Sequence, residues 1–188
     1  MGSEPPVYQP AEDTWLLIDC LSSLTGGGLV VEVGCGSGEV SRNLAERGVE
    51  VVAIDISQAA TKATRQNCLN LLDHTHIVVG DKLKALRPSG KIRLIVSNPP
   101  YLPSEDTADV ATEAGPTGAE FAISLIDDAE QLMEMGSRLV LIASTLGNAE
   151  AIVEYAEKRG LIVRCVASRR LFFEEIRCYE VWKKSREE

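Results

Sequence analysis

Apolar and polar positions alternate along the chain in two distinct periods. Short runs rich in valine, leucine and isoleucine predict buried strands, and the segments between them have apolar residues at helical spacing. The predicted strands are Leu29–Val33, Val49–Ile54, His76–Val79, Ile92–Ser97, Arg138–Ala143, Leu161–Ser168 and Phe172–Trp182. The predicted helices span residues 10–24, 39–47, 57–72, 119–135 and 147–159.

This order of elements predicts an α/β fold. Strands that alternate with helices are typical of a doubly wound, mostly parallel sheet, here of seven strands. No helix separates the last two strands, so we expect a C-terminal antiparallel hairpin with a polar turn around Arg169 and Arg170. The absence of a linker predicts a single domain over residues 1–188, with residues 1–8 as a flexible N-terminal segment.

Composition agrees with this interpretation. The 188 residues are 45% apolar and 25% charged, which is typical of a soluble globular domain. No apolar stretch is long enough to span a bilayer, and the first residues lack the features of a signal peptide. We therefore expect a cytoplasmic protein.

Charge and metal-binding residue types narrow the possible functions. The formal net charge is −9, without a cluster of lysines and arginines, so nucleic acid is not favoured as a partner. Five cysteines without C-x-x-C spacing and only two histidines argue against a metal site.

A proline corner follows the strand Ile92–Ser97. Residues 98–101 read Asn98, Pro99, Pro100 and Tyr101. Proline has no N–H to donate to a sheet, so the strand ends there, at the edge where open α/β sheets bind ligands. The corner offers an amide, carbonyls and an aromatic ring, which together fit a planar NH2 group. The alternative is an ordinary turn.

A glycine turn lies between the first strand and the next helix. Gly34, Gly36 and Gly38 occupy alternate positions there, and Glu32 lies two residues before the first of them. Glycine lets a ligand approach the backbone closely. The spacing differs from the dinucleotide motif G-x-G-x-x-G, so a dinucleotide is the weaker candidate. The acidic Glu32 would suit an ammonium group better than a pyrophosphate.

Two further acids follow the next two strands. Asp55 ends the second strand, where a carboxylate can bind both hydroxyls of a ribose. Asp81 follows the third strand, where its carboxylate or the adjacent backbone could meet an adenine amino group. A capping or solvated aspartate is the alternative for each acid taken alone.

In this order the motifs resemble the class I S-adenosylmethionine-dependent methyltransferases, which have a Rossmann-like fold. Upstream, the run from Tyr8 through Pro10-Ala-Glu-Asp-Thr14 resembles the HemK-like glutamine N5-methyltransferases of translation release factors, in their short eukaryotic and archaeal branch. The likeness extends from about residue 7 to residue 183. It implies transfer of a methyl group from S-adenosyl-L-methionine to the side-chain amide of a glutamine, in the Gly-Gly-Gln loop of a release factor.

The resemblance also implies roles for particular residues. The implied cofactor-binding residues are Thr14, Glu32, Gly34, Gly36, Gly38, Asp55, Asp81, Lys82 and Asn98. The implied catalytic residues are Asn98, Pro99, Pro100 and Tyr101. One stretch departs from the family pattern: the substrate loop usually contains Gly-Gly-x-x-Gly, and here residues 114–118 read Ala-Gly-Pro-Thr-Gly.

The sequence leaves other methyl acceptors, and other functions of the protein, open. The exocyclic amino group of adenine or cytosine has the same planar geometry as an amide, and a protein lysine could use the same pocket. A cofactor-binding scaffold without catalysis is a third interpretation, although an intact Asn98 and Tyr101 argue against it.

The segment Thr75–Val79 predicts a partner. In this topology it is an edge strand, and an apolar exposed edge can pair with another chain. The resembling family uses a small zinc-binding activator protein, which we would place on this edge. The alternative is an edge covered by its own neighbouring helix.

Overall fold

The computed structural model describes residues 7–103 and 114–184. The helices are α1 (Glu12–Cys20), α2 (Glu39–Ala45), α3 (Gln58–Asn67), α4 (Glu120–Leu132) and α5 (Ala149–Lys158), with short 3-10 turns at Leu69–Leu71 and Thr145–Gly147. The strands are β1 (Leu29–Val33), β2 (Glu50–Asp55), β3 (Thr75–Val79), β4 (Ile92–Ser97), β5 (Arg138–Ser144), β6 (Leu161–Arg170) and β7 (Glu175–Lys183). No helix in the described ranges is both long and apolar enough to cross a membrane.

All seven strands form one sheet in the order β3-β2-β1-β4-β5-β7-β6. The strands from β3 to β5 are parallel, and β7 is antiparallel to both of its neighbours. The predicted fold class, a doubly wound and mostly parallel sheet with a C-terminal hairpin, is confirmed. Because β1, β2, β4 and β5 are parallel, their carboxyl ends meet at one edge of the sheet, where the site lies.

Alternate strand residues pack into two cores, one on each face of the sheet. Val31 and Leu141 belong to the core that includes residues of α4 and α5. Val30 and Ile142 belong to the core that includes residues of α1 and α2. This alternation follows from the two-residue period of strands, and it makes the fold doubly wound.

The predicted turn at Arg169 and Arg170 is wrong. β6 continues to Arg170, which pairs with Glu175, and the turn occupies residues 171–174 instead. The Arg169 guanidinium makes ion pairs with Glu12 and with Asp19 of α1, so these charged residues extend the strand. The apolar character of Phe172 and Phe173 predicts strand residues, but both lie in the turn.

Candidate active site

A cavity of about 340 Å³ opens at the carboxyl edge of the sheet. Its lining brings together four separate parts of the chain: the start of α1, the glycine turn after β1, the end of β2 with the start of α3, and the proline corner after β4. The predicted site residues among its lining are Thr14, Glu32, Gly34, Gly36, Asp55, Asn98, Pro99, Pro100 and Tyr101. The topology therefore places most of the predicted site in one concave space.

Three predicted site residues, all in described parts of the chain, do not line the cavity. They are Gly38, Asp81 and Lys82. Gly38 has a φ of 82°, and a Cβ added to it would lie 2.7 Å from the Cα of Thr64. Its lack of a side chain therefore serves the packing of α2 against α3. Asp81 makes ion pairs with Lys84 and with Lys82, whose Nζ also lies 5.0 Å from the ring centroid of Phe121. Cofactor contacts by these residues stay predictions.

Asn98 is held at the cavity with one polar atom unused. Its Nδ2 donates to the hydroxyl of Thr14 at 3.3 Å. Its Oδ1 is buried and has no hydrogen-bond partner among the described residues. Behind it, the hydroxyl of Ser97 donates to the carbonyl of Val33 at 2.8 Å and ties β4 to β1. An unpaired buried acceptor costs free energy. Because Asn98 lines the cavity, its Oδ1 is available to accept a hydrogen bond from a ligand.

Asp13 connects the start of α1 to the proline corner. Its side chain is only 4% exposed and accepts hydrogen bonds from the Tyr8 and Tyr101 hydroxyls, at 2.8 and 3.0 Å. It also accepts from the backbone N–H of Thr14 at 2.6 Å. Burial, together with this carboxylate, raises the pKa of both tyrosines, so both hydroxyls stay protonated donors. The sequence interpretation missed Asp13, because an acid in a first helical turn usually interacts with the helix dipole.

Two glycines allow the chain to pack closely against the backbone of Tyr101. A Cβ added to Gly118 would lie 2.4 Å from the carbonyl oxygen of Tyr101, and one added to Gly147 would lie 2.0 Å from it. Gly118 belongs to the stretch that departs from the family pattern. Ala114, at the start of that stretch, is fully buried. The methyl side chain that distinguishes it from the glycine of the family pattern therefore packs inside the protein.

Glu32 and Asp55 are two of the acidic residues that line the cavity. Burial raises the pKa of Glu32 to about 8, although the Ser41 hydroxyl donates a hydrogen bond to its carboxylate. Asp55 accepts from the backbone N–H of Gly36 at 3.0 Å and of Ser57 at 2.8 Å. A carboxylate has about four acceptor positions, so Asp55 can still accept ribose hydroxyls.

The chain fits S-adenosylmethionine on these observations. Glu32 is a buried acid at the position where a cationic amino group would stabilise its charged form. At Gly34 an added Cβ would meet no atom within 4 Å, so the backbone there is open to a ligand. The fold and the site together define a class I α/β methyltransferase.

Comparison with known proteins agrees with this class. Residues 11–159 match the family described as the methyltransferase small domain. The chain belongs to this family and is an S-adenosylmethionine-dependent methyltransferase.

Individual relatives share most of this chain. The methyltransferase HEMK2 of Mus musculus is 33% identical over 175 residues, which cover 85% of this chain and 82% of that protein. The release factor glutamine methyltransferase of Deinococcus radiodurans is 37% identical over 145 residues, covering 69% of this chain and 51% of that protein. The E. cuniculi Mtq2 structure, from an Mtq2-Trm112 complex responsible for methylating the termination factor eRF1, superposes with a TM-score of 0.77. It covers 95% of this chain and 99% of its own at 24% identity, so it supports the fold.

Proposed function

We propose that this methyltransferase modifies the side-chain amide nitrogen of a glutamine in a translation release factor, within a Gly-Gly-Gln loop. The observation that carries the proposal is the buried Oδ1 of Asn98, an acceptor without a partner among the described residues. A primary amide brings two N–H donors in one plane. Asn98 Oδ1 would accept one of them, and the carbonyl of Pro99 the other.

These hydrogen bonds would also assist the chemistry. When bound, S-adenosylmethionine supplies a methyl group on a positively charged sulfur. The amide nitrogen of glutamine is a weak nucleophile, because its lone pair is delocalised into the carbonyl group. Acceptors at both hydrogens orient the nitrogen and return electron density to it. Positioning of this kind contributes roughly 7–11 kcal/mol in the best intramolecular models. No strong base need act first, since the nitrogen becomes acidic once it is methylated.

The contacts of Asn98 orient its side-chain amide. Thr14 holds its Nδ2, Asp13 holds Thr14 through the backbone, and the Tyr101 hydroxyl returns to Asp13. This chain of contacts links both ends of the corner to the start of α1. The Asn98 amide is therefore oriented before any substrate enters, which reduces the entropy lost on binding.

Mass spectrometry of a purified release factor, incubated with the methyl donor and with enzyme co-expressed with the activator proposed below, tests the proposal. We expect a single methyl group on the glutamine of the Gly-Gly-Gln loop. Asn98→Ala should lower kcat by roughly 100- to 1,000-fold, as expected for removal of one preorganised hydrogen-bonding group. Its affinity for S-adenosylhomocysteine should stay close to that of the wild type. Asn70→Ala, at an exposed position, is the matched control.

Other outcomes would replace the proposal. A methyl group on a lysine, or transfer to DNA or RNA under the same conditions, would identify one of the alternative acceptors. Retained turnover by Asn98→Ala would contradict the role of the proline corner itself. Cofactor binding without transfer to any of these substrates would favour a scaffold.

We propose further that a small zinc-binding activator protein pairs with β3. Within the described residues, β3 has a strand neighbour on one side only. The N–H of Val51 donates to the carbonyl of His74, and the N–H of Gly80 donates to that of Asp55. By the alternation of a parallel ladder, the backbone groups of Thr75, Ile77 and Val79 point away from β2. The E. cuniculi relative, whose structure is a complex with Trm112, supports a partner of this kind.

Substitution of an outward N–H tests this edge. Ile77→Pro removes one outward donor and leaves the hydrogen bonds to β2 in place. We expect it to abolish co-purification with the co-expressed activator, whereas His76→Ala, which changes only an exposed side chain, should not. An enzyme that is soluble and fully active alone would contradict the proposal. Zinc analysis of the purified complex tests the metal content of the partner.

A further inference from the structure

The turn between β6 and β7 exposes two aromatic rings. Phe172 is 92% exposed and Phe173 is 83% exposed. Their rings contact each other edge to face, with centroids 4.6 Å apart. Two adjacent, almost fully exposed phenylalanines are unusual on a soluble protein, where single exposed apolar residues are common but clusters mark interaction sites.

This aromatic turn, residues 171–174, is held on both sides. The N–H of Leu171 donates to the carbonyl of Glu174 at 2.8 Å and closes the turn. The Ser144 hydroxyl donates to the Glu174 carboxylate, and the N–H of Glu175 donates to the Thr145 hydroxyl at 3.0 Å. The rings therefore project from an anchored backbone, and this turn would lose little backbone entropy when a partner covers the rings.

The aromatic turn lies beside the mouth of the active-site cavity. β6 ends at the same edge of the sheet as β4 and β5, because β7 is antiparallel to both β5 and β6. The 3-10 turn that holds Glu175 continues to Gly147, which packs directly against the backbone of Tyr101. The Glu174 carboxylate is close enough to raise the pKa of Tyr101, after the larger effects of burial and Asp13.

Exposed leucines extend the apolar surface from the aromatic turn to the mouth of the cavity. Leu102, which lines the cavity, is 55% exposed, and Leu146 in the neighbouring 3-10 turn is 48% exposed. At the other end of the sheet, β3 is six strand spacings away from β6, or roughly 29 Å at 4.8 Å per spacing. A partner on β3 would therefore leave the aromatic turn free.

We propose that Phe172 and Phe173 form the docking contact for the protein substrate. The inference rests on the proposed function, because a protein that inserts a glutamine beside Asn98 covers the cavity mouth and thereby comes close to the adjacent turn that carries the rings. The occupant is a folded protein with an apolar cleft near its glutamine-bearing loop, which receives the two rings. Such buried aromatic anchors supply much of the affinity in protein interfaces.

The charges around the turn favour a protein over nucleic acid. Glu174 and Glu175 flank the rings, and Arg169 and Arg177 are already paired with carboxylates. Arg170 is exposed and is the remaining cation of this hairpin end. A phosphate backbone usually needs several cations, so this surface suits an uncharged cleft better.

Steady-state methylation of a purified release factor tests the inference with the double variant Phe172→Ala/Phe173→Ala. We expect KM for the release factor to rise roughly 10- to 100-fold, the range for loss of an aromatic anchor. kcat and the dissociation constant of S-adenosylhomocysteine, measured by calorimetry, should stay within about twofold of the wild type. Met135→Ala is the matched control, since Met135 is 62% exposed and precedes β5 at the opposite edge of the sheet.

The possible results separate the two proposals. If the wild type, assayed together with the co-expressed activator, does not methylate the release factor, the proposed function fails and this docking contact fails with it. If the wild type methylates it and the double variant has an unchanged KM, only the docking contact is overturned. Equal losses in kcat and cofactor affinity would also overturn it, because they indicate a role in the fold. A dimeric wild type that becomes monomeric in the double variant, with KM unchanged, would assign the rings to a second copy of the chain.

Discussion

Replacing Glu32 by glutamine should stabilise the cofactor-free protein, by an amount that grows with pH. Burial raises the pKa of Glu32 to about 8, whereas a glutamate in an unfolded chain titrates near 4.3. The two values differ by about 3.7 units, and each unit corresponds to about 1.4 kcal/mol. The ceiling of the effect is therefore about 5 kcal/mol.

The sign follows from the proton that the folded protein retains. Between about pH 4.3 and pH 8, Glu32 keeps a proton in the folded state that the unfolded chain has released. The free energy of unfolding of the wild type therefore falls as pH rises through this window. Glutamine does not ionise, and its carbonyl can still accept from Ser41. The advantage of Glu32→Gln should be near zero at pH 4.5 and should reach about 2–4 kcal/mol at pH 8.

Guanidinium denaturation of both proteins at several pH values between 5 and 9 measures this difference. Glu134→Gln, at an exposed position, is the control for removing a carboxylate as such. A difference that does not depend on pH, or a variant that is less stable at every pH, would refute the reasoning. A cation near Glu32 should favour its charged form, so cofactor binding near pH 7 should release a proton from the wild type and not from the variant. Calorimetry in buffers with different ionisation enthalpies detects this proton.

Two further substitutions probe the packing behind the site. Gly38→Ala should destabilise the protein by roughly 2–5 kcal/mol, because its Cβ would meet Thr64 in addition to the strain of a left-handed backbone. Gly136→Ala, also left-handed but with no atom within 4 Å of the added Cβ, should show the backbone cost alone when both are measured by chemical denaturation. Asp13→Asn should cost about 1–3 kcal/mol, since an amide offers fewer acceptors to the half-buried Tyr101 hydroxyl and its neighbours. It should also lower kcat more than cofactor affinity, and equal effects on both would contradict its link to the corner.

The layers of the fold were predictable because local patterns decide them. Valine-rich runs such as Leu29–Val33 form strands that are buried on both faces, and the sequence shows this directly. Ser57 begins α3 as expected, with its hydroxyl accepting from the N–H of Ala60 at 3.3 Å. Family membership and the cofactor follow from motifs that are contiguous in the sequence.

The end of the hairpin was not predictable in the same way. Apolar residues at positions 172 and 173 favour a strand when only the sequence is considered. In the folded protein, Arg169 pairs with Glu12 and Asp19 of α1, more than 145 positions earlier in the chain, and thereby extends β6. Contacts at such separation leave no local signal.

The sequence alone determined the fold class, the order of the motifs and the position of Asn98 at the end of a strand. Proline and glycine act through their own backbone geometry, so their effect is visible without a structure. The tertiary structure decided that Asp13 holds Tyr101 and that Asn98 Oδ1 is left without a partner in the described chain. It also decided that two phenylalanines face solvent beside the cavity. Burial and pairing are properties of the whole assembly of elements, and the free energy of each polar group depends on neighbours that the sequence order does not reveal.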